Sequence, residues 1–247
     1  DAVILIDYPT LNLRLAKQGR RFSCPVLYFI SPQIWAWRKG RIRDIRESVA
    51  KMFVILPFEE KLYLDAGVDA EFLGHPFIDM VHPSRSREES RKKYSLGSEV
   101  KTIGLLPGSR MNEINSLLDV MIEAGEKIQQ ELGSCQFLLP VADSIDPDLI
   151  RQRLGTNSLG IQLVEGEPYD VMNSCDMLII ASGSATLEAG IIGCPMVIIY
   201  KLNPLTYLLA QLLVDAPLVG LVNIVAEEEV VPELIQNKVT AENISNE

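Results

Sequence analysis

Ile179-Ile180-Ala181-Ser182-Gly183-Ser184-Ala185-Thr186-Leu187-Glu188 runs from an apolar stretch through a Ser-Gly-Ser turn into a helix-forming segment. A strand that breaks at glycine and opens into a helix leaves backbone N–H groups facing outward with the positive end of the helix dipole, a setting that suits a diphosphate. Glu188, six residues after Ser182, falls between one and two turns into that helix. A carboxylate there can accept from two vicinal hydroxyls, such as those of a ribose. The same letters also describe a small-residue turn that packs a helix on a sheet, and the segment alone leaves both readings open.

The unit recurs upstream. Thr102–Leu106 reads as a buried strand, Pro107-Gly108-Ser109-Arg110 as its turn, and Leu117, Met121, Ala124, Ile128 and Leu132 as the apolar stripe of a long helix with Glu123, Glu126 and Glu131 among its polar positions. Ser109 is the expected N-cap. Arg110 then stands at a helix N-terminus and at the carboxyl end of a strand, the edge where open α/β sheets bind ligands; the alternative is a surface arginine on a first helical turn. At the start of the chain, Val3–Ile6 is a short strand and Asp7 follows it on the same kind of edge. Asp7 is either a general base or a cap for the next helix. Further strands are expected at Val26–Ile30, Met52–Leu56, Gln136–Pro140, Ile161–Val164, Met177–Ala181 and Met196–Tyr200, with helix-like segments between most of them. Such alternation predicts parallel sheets with helices on both faces.

Charge divides the chain. Residues 1–98 carry 16 of its 23 Lys/Arg and 12 of its 33 Asp/Glu, a net of +4; residues 99–247 carry 7 and 21, a net of −14. The expected organisation is a first domain over 1–82, a linker over 83–98 that begins in the polar His82-Pro83-Ser84-Arg85 stretch, and a second domain over 99–247. Cys24, Cys135, Cys175 and Cys194 form no CxxC pair and read as buried thiols, and two histidines are too few for a His-rich metal site. No apolar run reaches the ~20 residues of a membrane span. The net charge of −10 and the absence of a fold-wide basic patch argue against nucleic acid.

Six segments, in this order, resemble the lipid-A-disaccharide synthase family: Ile6–Leu15, Ser31-Pro32-Gln33-Ile34-Trp35-Ala36-Trp37-Arg38, Leu56-Pro57-Phe58-Glu59, Leu73-Gly74-His75-Pro76, Leu105–Arg110 and Ala181–Glu188. The resemblance covers nearly the whole chain, and Trp-Ala-Trp-Arg is absent from general nucleotide-sugar transferases. It implies two Rossmann-like domains of the GT-B glycosyltransferase type, with the donor in the interdomain cleft. The implied reaction is an inverting transfer, without metal or other cofactor, of diacylglucosamine from its UDP derivative to diacylglucosamine 1-phosphate. On this resemblance Asp7 is the base and Arg110 meets the leaving diphosphate. Gly108, Ser109, Ser182, Gly183, Ser184, Glu188, Asn223 and Gln236 surround the donor. Two positions depart from the family: Val222 stands where a Pro precedes the Asn, and Thr10 where many relatives carry a second Asp. The family's first βα units, with their glycine-rich loop, and its C-terminal end are expected to be missing from this chain.

Trp35-Ala36-Trp37 precedes Arg38, Lys39, Arg41, Arg43 and Arg46, five cations in nine residues. Tryptophans beside cations suit a membrane interface or a lipid phosphate; the plainer reading is a solvated helix face with the indoles in the core. The expectation is that Trp35, Trp37, Arg38, Arg41 and Arg43 form the acceptor and membrane side of a peripheral protein on the cytoplasmic face of the inner membrane, with oligomers allowed. Leu205, Leu208, Leu209, Leu212 and Leu213 share a helical face, read as core or as an acyl-chain groove. Two other readings stay open: a UDP-sugar 2-epimerase-like enzyme, and a truncated, non-catalytic copy that binds UDP or lipid.

Overall fold

A computed structural model describes residues 1–155, 159–203, 206–207 and 218–247, which fall into two compact units. One holds Asp1–Ile78; the other begins at Asp79 and holds the described residues to Asn203 together with Leu218–Glu247. The leucines at 205, 208, 209, 212 and 213 lie outside the described residues.

The first unit is a parallel sheet of β1 (Val3–Ile6), β2 (Val26–Phe29), β3 (Lys51–Val54) and β4 (Ala70–Phe72), in that spatial order. Helices α1 (Pro9–Arg21), α2 (Arg41–Ser48) and α3 (Pro57–Asp65) connect them. Strand alternation decides the core: Leu5, Val26, Tyr28, Met52, Val54 and Ala70 face inward and meet Leu13 and Ala16 of α1, Ile45 of α2 and Tyr63 of α3 in one cluster. On the opposite parity Ile4 and Ile6 remain exposed, while Phe72 shares the parity of Ala70 and is exposed at the end of the edge strand.

In the second unit, α4 (Phe77–Met80), which spans the division, and α5 (Arg87–Lys93) precede a six-stranded parallel sheet. Its strands are β5 (Lys101–Leu106), β6 (Cys135–Val141), β7 (Gln162–Glu165), β8 (Met177–Ala181), β9 (Met196–Tyr200) and β10 (Glu233–Ile235). Intervening helices are α6 (Met111–Leu132), α7 (Pro147–Leu154), α8 (Pro168–Ser174), α9 (Ser184–Ile192) and α10 (Leu221–Ala226), and α11 (Ala241–Asn246) follows the last strand. Both faces are covered, so β8 at the centre is apolar at every position. Ile179, Ala181, Val197 and Ile199 pack with α6 on one side, while Leu178, Ile180, Met196 and Ile198 pack with Val171, Met172 and Ala189 on the other. The α6 stripe buries Ile114, Leu117, Leu118, Met121, Ala124 and Ile128, but stops there: Leu132, expected on it, is exposed in the last turn.

The strand order β10-β9-β8-β5-β6-β7 positions the site. From β5 the chain steps outward to β6 and β7, returns to β8 on the other side of β5, and continues to β9 and β10. The connections leaving β5 and β8 therefore diverge, which marks the topological switch point of an open α/β sheet. The Pro107–Arg110 and Ser182–Ser184 turns both sit there.

All eight expected strands are present, with ends shifted by up to two residues. The three-residue edge strands β4 and β10 were not expected. No helix among the described residues is long and apolar enough to cross a membrane.

Candidate functional site

The ligand edge of the second unit is built around acidic side chains that hold its turns. Gly108 has φ +111°, and a Cβ there would meet Glu113 Oε2 at 2.2 Å. Only glycine lets the turn close on that carboxylate. Glu113 accepts from the backbone N–H of Ser109 at 3.0 Å and of Arg110 at 3.3 Å, and from Arg110 Nη1 at 2.7 Å. Its carboxylate thus occupies an anion receptor made of two amides and a guanidinium. Helix α6 starts one residue later than expected: Arg110, not Ser109, is its N-cap residue, and the capping carboxylate comes from Glu113. Ser109 is held from its other side by Ser144, whose hydroxyl donates to the Ser109 carbonyl at 2.8 Å. The Arg110 side chain is 77% exposed. An ion pair so open to water is worth ~0–1 kcal/mol, so the guanidinium is easily redirected to a ligand.

At β8, Ser182 donates from its backbone N–H to Ile199 and from its hydroxyl to the Val219 carbonyl at 2.6 Å. Its side chain therefore ties the turn to the 219–223 loop, while Gly183 and Ser184 remain exposed at the N-terminus of α9. Glu188 is half-buried, with no hydrogen bond or ion pair among the described residues. Burial pushes its carboxyl above the usual range. The Tyr169 phenol is likewise raised, by burial first and then by the Glu188 charge, which places the two side chains near each other.

Asn223 is fully buried. Its amide donates to the Val231 carbonyl and to Glu233 Oε1, both at 2.8 Å, and its oxygen accepts from Val230 and Val231 N–H. Every polar atom is spent on the loop, so Asn223 acts on a ligand only through the loop it shapes. Glu233 completes that loop by accepting from Val219 and Gly220 N–H at 2.8 Å. Val222 donates its N–H to Thr186 Oγ1 at 3.4 Å, a bond that a proline at this position cannot make. Gln236, with φ +53°, pairs both amide atoms with the Leu202 backbone, at 2.8 and 3.2 Å, and stitches the end of β10 to the chain leaving β9. Glu113 and Glu233 were not singled out in the sequence. Glu113 has a local signal, an acidic side chain at the third helical position; Glu233 acts across ten to fourteen residues and has none.

In the first unit, strain concentrates on the loops after β1 and β2. Asp7 and Tyr8 have φ +46° and +41°, Ile30 +64° and Arg38 +55°. Left-handed backbone at such residues costs of order 1–3 kcal/mol each and persists where surroundings enforce it. Here the enforcement is visible: the Asp7 carbonyl accepts from Tyr28 Oη and from Asn12 Nδ2, each at 2.6 Å. The Asp7 carboxylate itself is exposed and accepts no hydrogen bond among the described residues, so it does not cap α1; the Tyr8 carbonyl accepts the first helical N–H groups. Burial, reinforced by the Asp7 charge, pushes the Tyr28 phenol up to about 12, against the opposing pull of Asn12 and Arg41.

The two tryptophans divide between the two readings. Trp35 is half-buried: its indole Nε1 donates to Glu59 Oε1 at 3.1 Å, and its ring meets Phe58 edge-on at 5.3 Å. Glu59 is buried, which raises its carboxyl, and Ser31 Oγ lies close to it without a hydrogen bond of good geometry. Trp37 is 42% exposed and carries two cations, Arg38 Cζ at 4.5 Å from the ring centroid and Arg41 Cζ at 5.3 Å. Arg43 is exposed on α2. Of the cysteines, Cys135, Cys175 and Cys194 are buried as expected, while Cys24 is only partly so. Burial holds Cys194 up to about 11, a thiol at neutral pH.

Known proteins share these features at two levels. At the level of fold, the UDP-GlcNAc 2-epimerase from Neisseria meningitidis, solved with UDP-GlcNAc, superposes with a TM-score of 0.62 at 12% identity, over 99% of this chain and 66% of that one. At the level of sequence, the chain is 45% identical over its whole length to the lipid-A-disaccharide synthase of Syntrophus aciditrophicus and 43% identical to that of Geobacter sulfurreducens, and spans 65% and 64% of their lengths. The family model described as lipid-A-disaccharide synthetase matches residues 1–247. Matched by that family from its own first residue to its last, and folded into two Rossmann-like sheets, the chain belongs to the lipid-A-disaccharide synthetase family.

Proposed function

We propose that the protein transfers 2,3-diacylglucosamine from its UDP derivative to 2,3-diacylglucosamine 1-phosphate, giving the lipid A disaccharide 1-phosphate and UDP. The acceptor's primary hydroxyl oxygen bonds to the anomeric carbon, the carbon–oxygen bond to the diphosphate breaks with inversion, and the hydroxyl proton passes to the Asp7 carboxylate. The observation that carries this reading is the Asp7 turn: a carboxylate free of hydrogen bonds, on two consecutive left-handed residues that Tyr28 and Asn12 hold in place. A base kept exposed and unpaired at strain cost is poised to take a proton.

On the donor side, Arg110 and the 108–110 turn meet the diphosphate in place of Glu113, with Gly183 and Ser184 opening α9 toward the same group. Glu188 holds the ribose, and Asn223 and Gln236 shape the surrounding loops. Charge that grows on the leaving diphosphate is where preorganised donors contribute most, ~3–4 kcal/mol for one group. Trp35, Trp37, Arg38, Arg41 and Arg43 serve the lipid acceptor and the inner-membrane surface. The epimerase alternative has only the fold in its favour.

The test uses the purified protein with both lipid substrates. General-base help is worth ~10²–10⁴-fold, so Asp7→Asn should lose nearly all turnover while UDP affinity is kept. More than about a tenth of wild-type rate in that variant removes Asp7 from the role. UDP release that ignores the acceptor would favour an epimerase-like reaction, and UDP binding without release a non-catalytic copy.

A further inference from the structure

We propose that Arg38 and Arg41, stacked on the Trp37 ring, form a seat for a sugar phosphomonoester, the 1-phosphate of the acceptor. The assignment rests on the transferase reading above and names the group that the basic loop recognises. Two guanidinium groups share one indole, at 4.5 and 5.3 Å from its centroid. Contact with the ring face restrains both guanidinium groups without using their N–H donors. Like charges over one ring repel each other, a cost that a bridging anion reverses. Neither guanidinium has an ion pair or hydrogen bond among the described residues, whereas nearby Lys17 is paired with Asp44 at 2.8 Å. Each guanidinium brings five donors, and a phosphomonoester offers acceptors to two forks at once.

Two further observations point to a built site. Arg38 is kept on a left-handed backbone, φ +55°, and its guanidinium lies over the preceding tryptophan. Asp7 and the segment that carries Arg38 and Arg41 follow the carboxyl ends of the adjacent parallel strands β1 and β2. The cations and the proposed base thus share one edge of the first unit, as they must if one pyranose presents its phosphate to the former and its primary hydroxyl to the latter. A bilayer surface asks only for diffuse, mobile charge; two forks fixed on one ring suit a discrete dianion.

Two measurements test the seat. The first uses a soluble probe. The protein has two tryptophans, so titration with glucosamine 1-phosphate should give a saturable fluorescence change that glucosamine does not give and that Trp37→Phe removes. Arg38→Gln and Arg41→Gln should each weaken it tenfold or more, and Arg41→Lys less, with thermal unfolding showing each variant folded. Inorganic phosphate binding as tightly as glucosamine 1-phosphate would make this a free-phosphate site and overturn the acceptor assignment. The second measures transfer in neutral detergent micelles to the acceptor with and without its phosphate. Arg41→Gln should lower the ratio of kcat/KM between the two acceptors at least tenfold. A ratio that survives the substitution, with only binding to anionic vesicles lost, would leave the pair with the membrane alone and overturn the seat. If wild-type protein transfers to neither acceptor but the fluorescence result holds, the transferase reading fails and the seat stands.

Discussion

Two carboxylates carry the proposed chemistry, and their surroundings differ as their roles do. Asp7 is exposed on a strained turn, while Glu188 is half-buried and raised by that burial. The place of each in the fold was legible because each follows a strand–turn signature at short range. What sequence did not show is how the turns are held, because Glu233 and Tyr28 act on backbone well removed along the chain. The state of Glu188 gives a pH prediction. Ribose hydroxyls donate to the ionised carboxylate, so binding UDP favours deprotonation, and affinity should fall as pH drops through the raised pKa. A hydrogen bond to a charged group is worth ~1.5–3 kcal/mol, so Glu188→Gln should bind UDP roughly tenfold or more weakly at about pH 8. The deficit should shrink at lower pH, as the wild-type carboxyl takes up its proton. Calorimetric titration of both proteins across that range is the check; a constant deficit would place the titration on UDP or other groups.

Among the elements, those with an apolar period announced themselves and those held by polar contacts did not. Strands β4 and β10 are three residues long and lie at sheet edges, too short for an alternation to register. Helix α5 has no apolar stripe, yet it is pinned to α8 and its surroundings by charge. Arg85 reaches Glu167 and Asp170, Lys93 and Tyr94 reach Glu167, Arg87 reaches the Cys175 carbonyl and Asp176, and Arg91 reaches the Ser174 carbonyl. Partners some 70–90 residues apart leave no local trace. This clamp titrates. The Lys93 hydrogen bond first, then Tyr94, with Arg85 adding to them, hold Glu167 down at about 2. A carboxyl depressed on folding contributes stability above its unfolded value, ~4.3, and loses that contribution as pH falls through its folded value. Wild type should therefore lose part of its thermal stability between about pH 4.5 and pH 2. Glu167→Gln should melt lower at pH 7 and change less across that window. Lys93 and Arg85 are each more than a third open to water, so the effect is discounted for screening. A gap in Tm unchanged from neutral pH to about pH 2.5 would show that the clamp does not depend on Glu167 ionisation.

Over the whole molecule the decisive quantity is the split of charge, +4 in residues 1–98 against −14 in the remainder. The proposed substrates are lipids, and no described helix can span a bilayer. Attachment to an anionic surface would then fall to the basic loop, where each cation near the surface contributes ~1 kcal/mol. Arg38, Lys39, Arg41 and Arg43 together would supply ~4 kcal/mol, roughly a thousandfold in partitioning. The acidic residues oppose this by repulsion, so only vesicles approached through the basic loop should bind. Such attraction is screened: the Debye length is ~10 Å at 0.1 M salt and ~3 Å at 1 M. Sedimentation with phosphatidylserine-containing vesicles, without acceptor lipid, should therefore carry the protein down at low salt and release it at high salt, and zwitterionic vesicles should leave it in solution at both. Changing the four cations to Gln should abolish binding without lowering the Tm. Co-sedimentation of that variant, or indifference of the wild type to salt, would move the anchor to an apolar surface. The exposed Ile4, Ile6 and Phe72 of the first sheet would then be the next place to substitute.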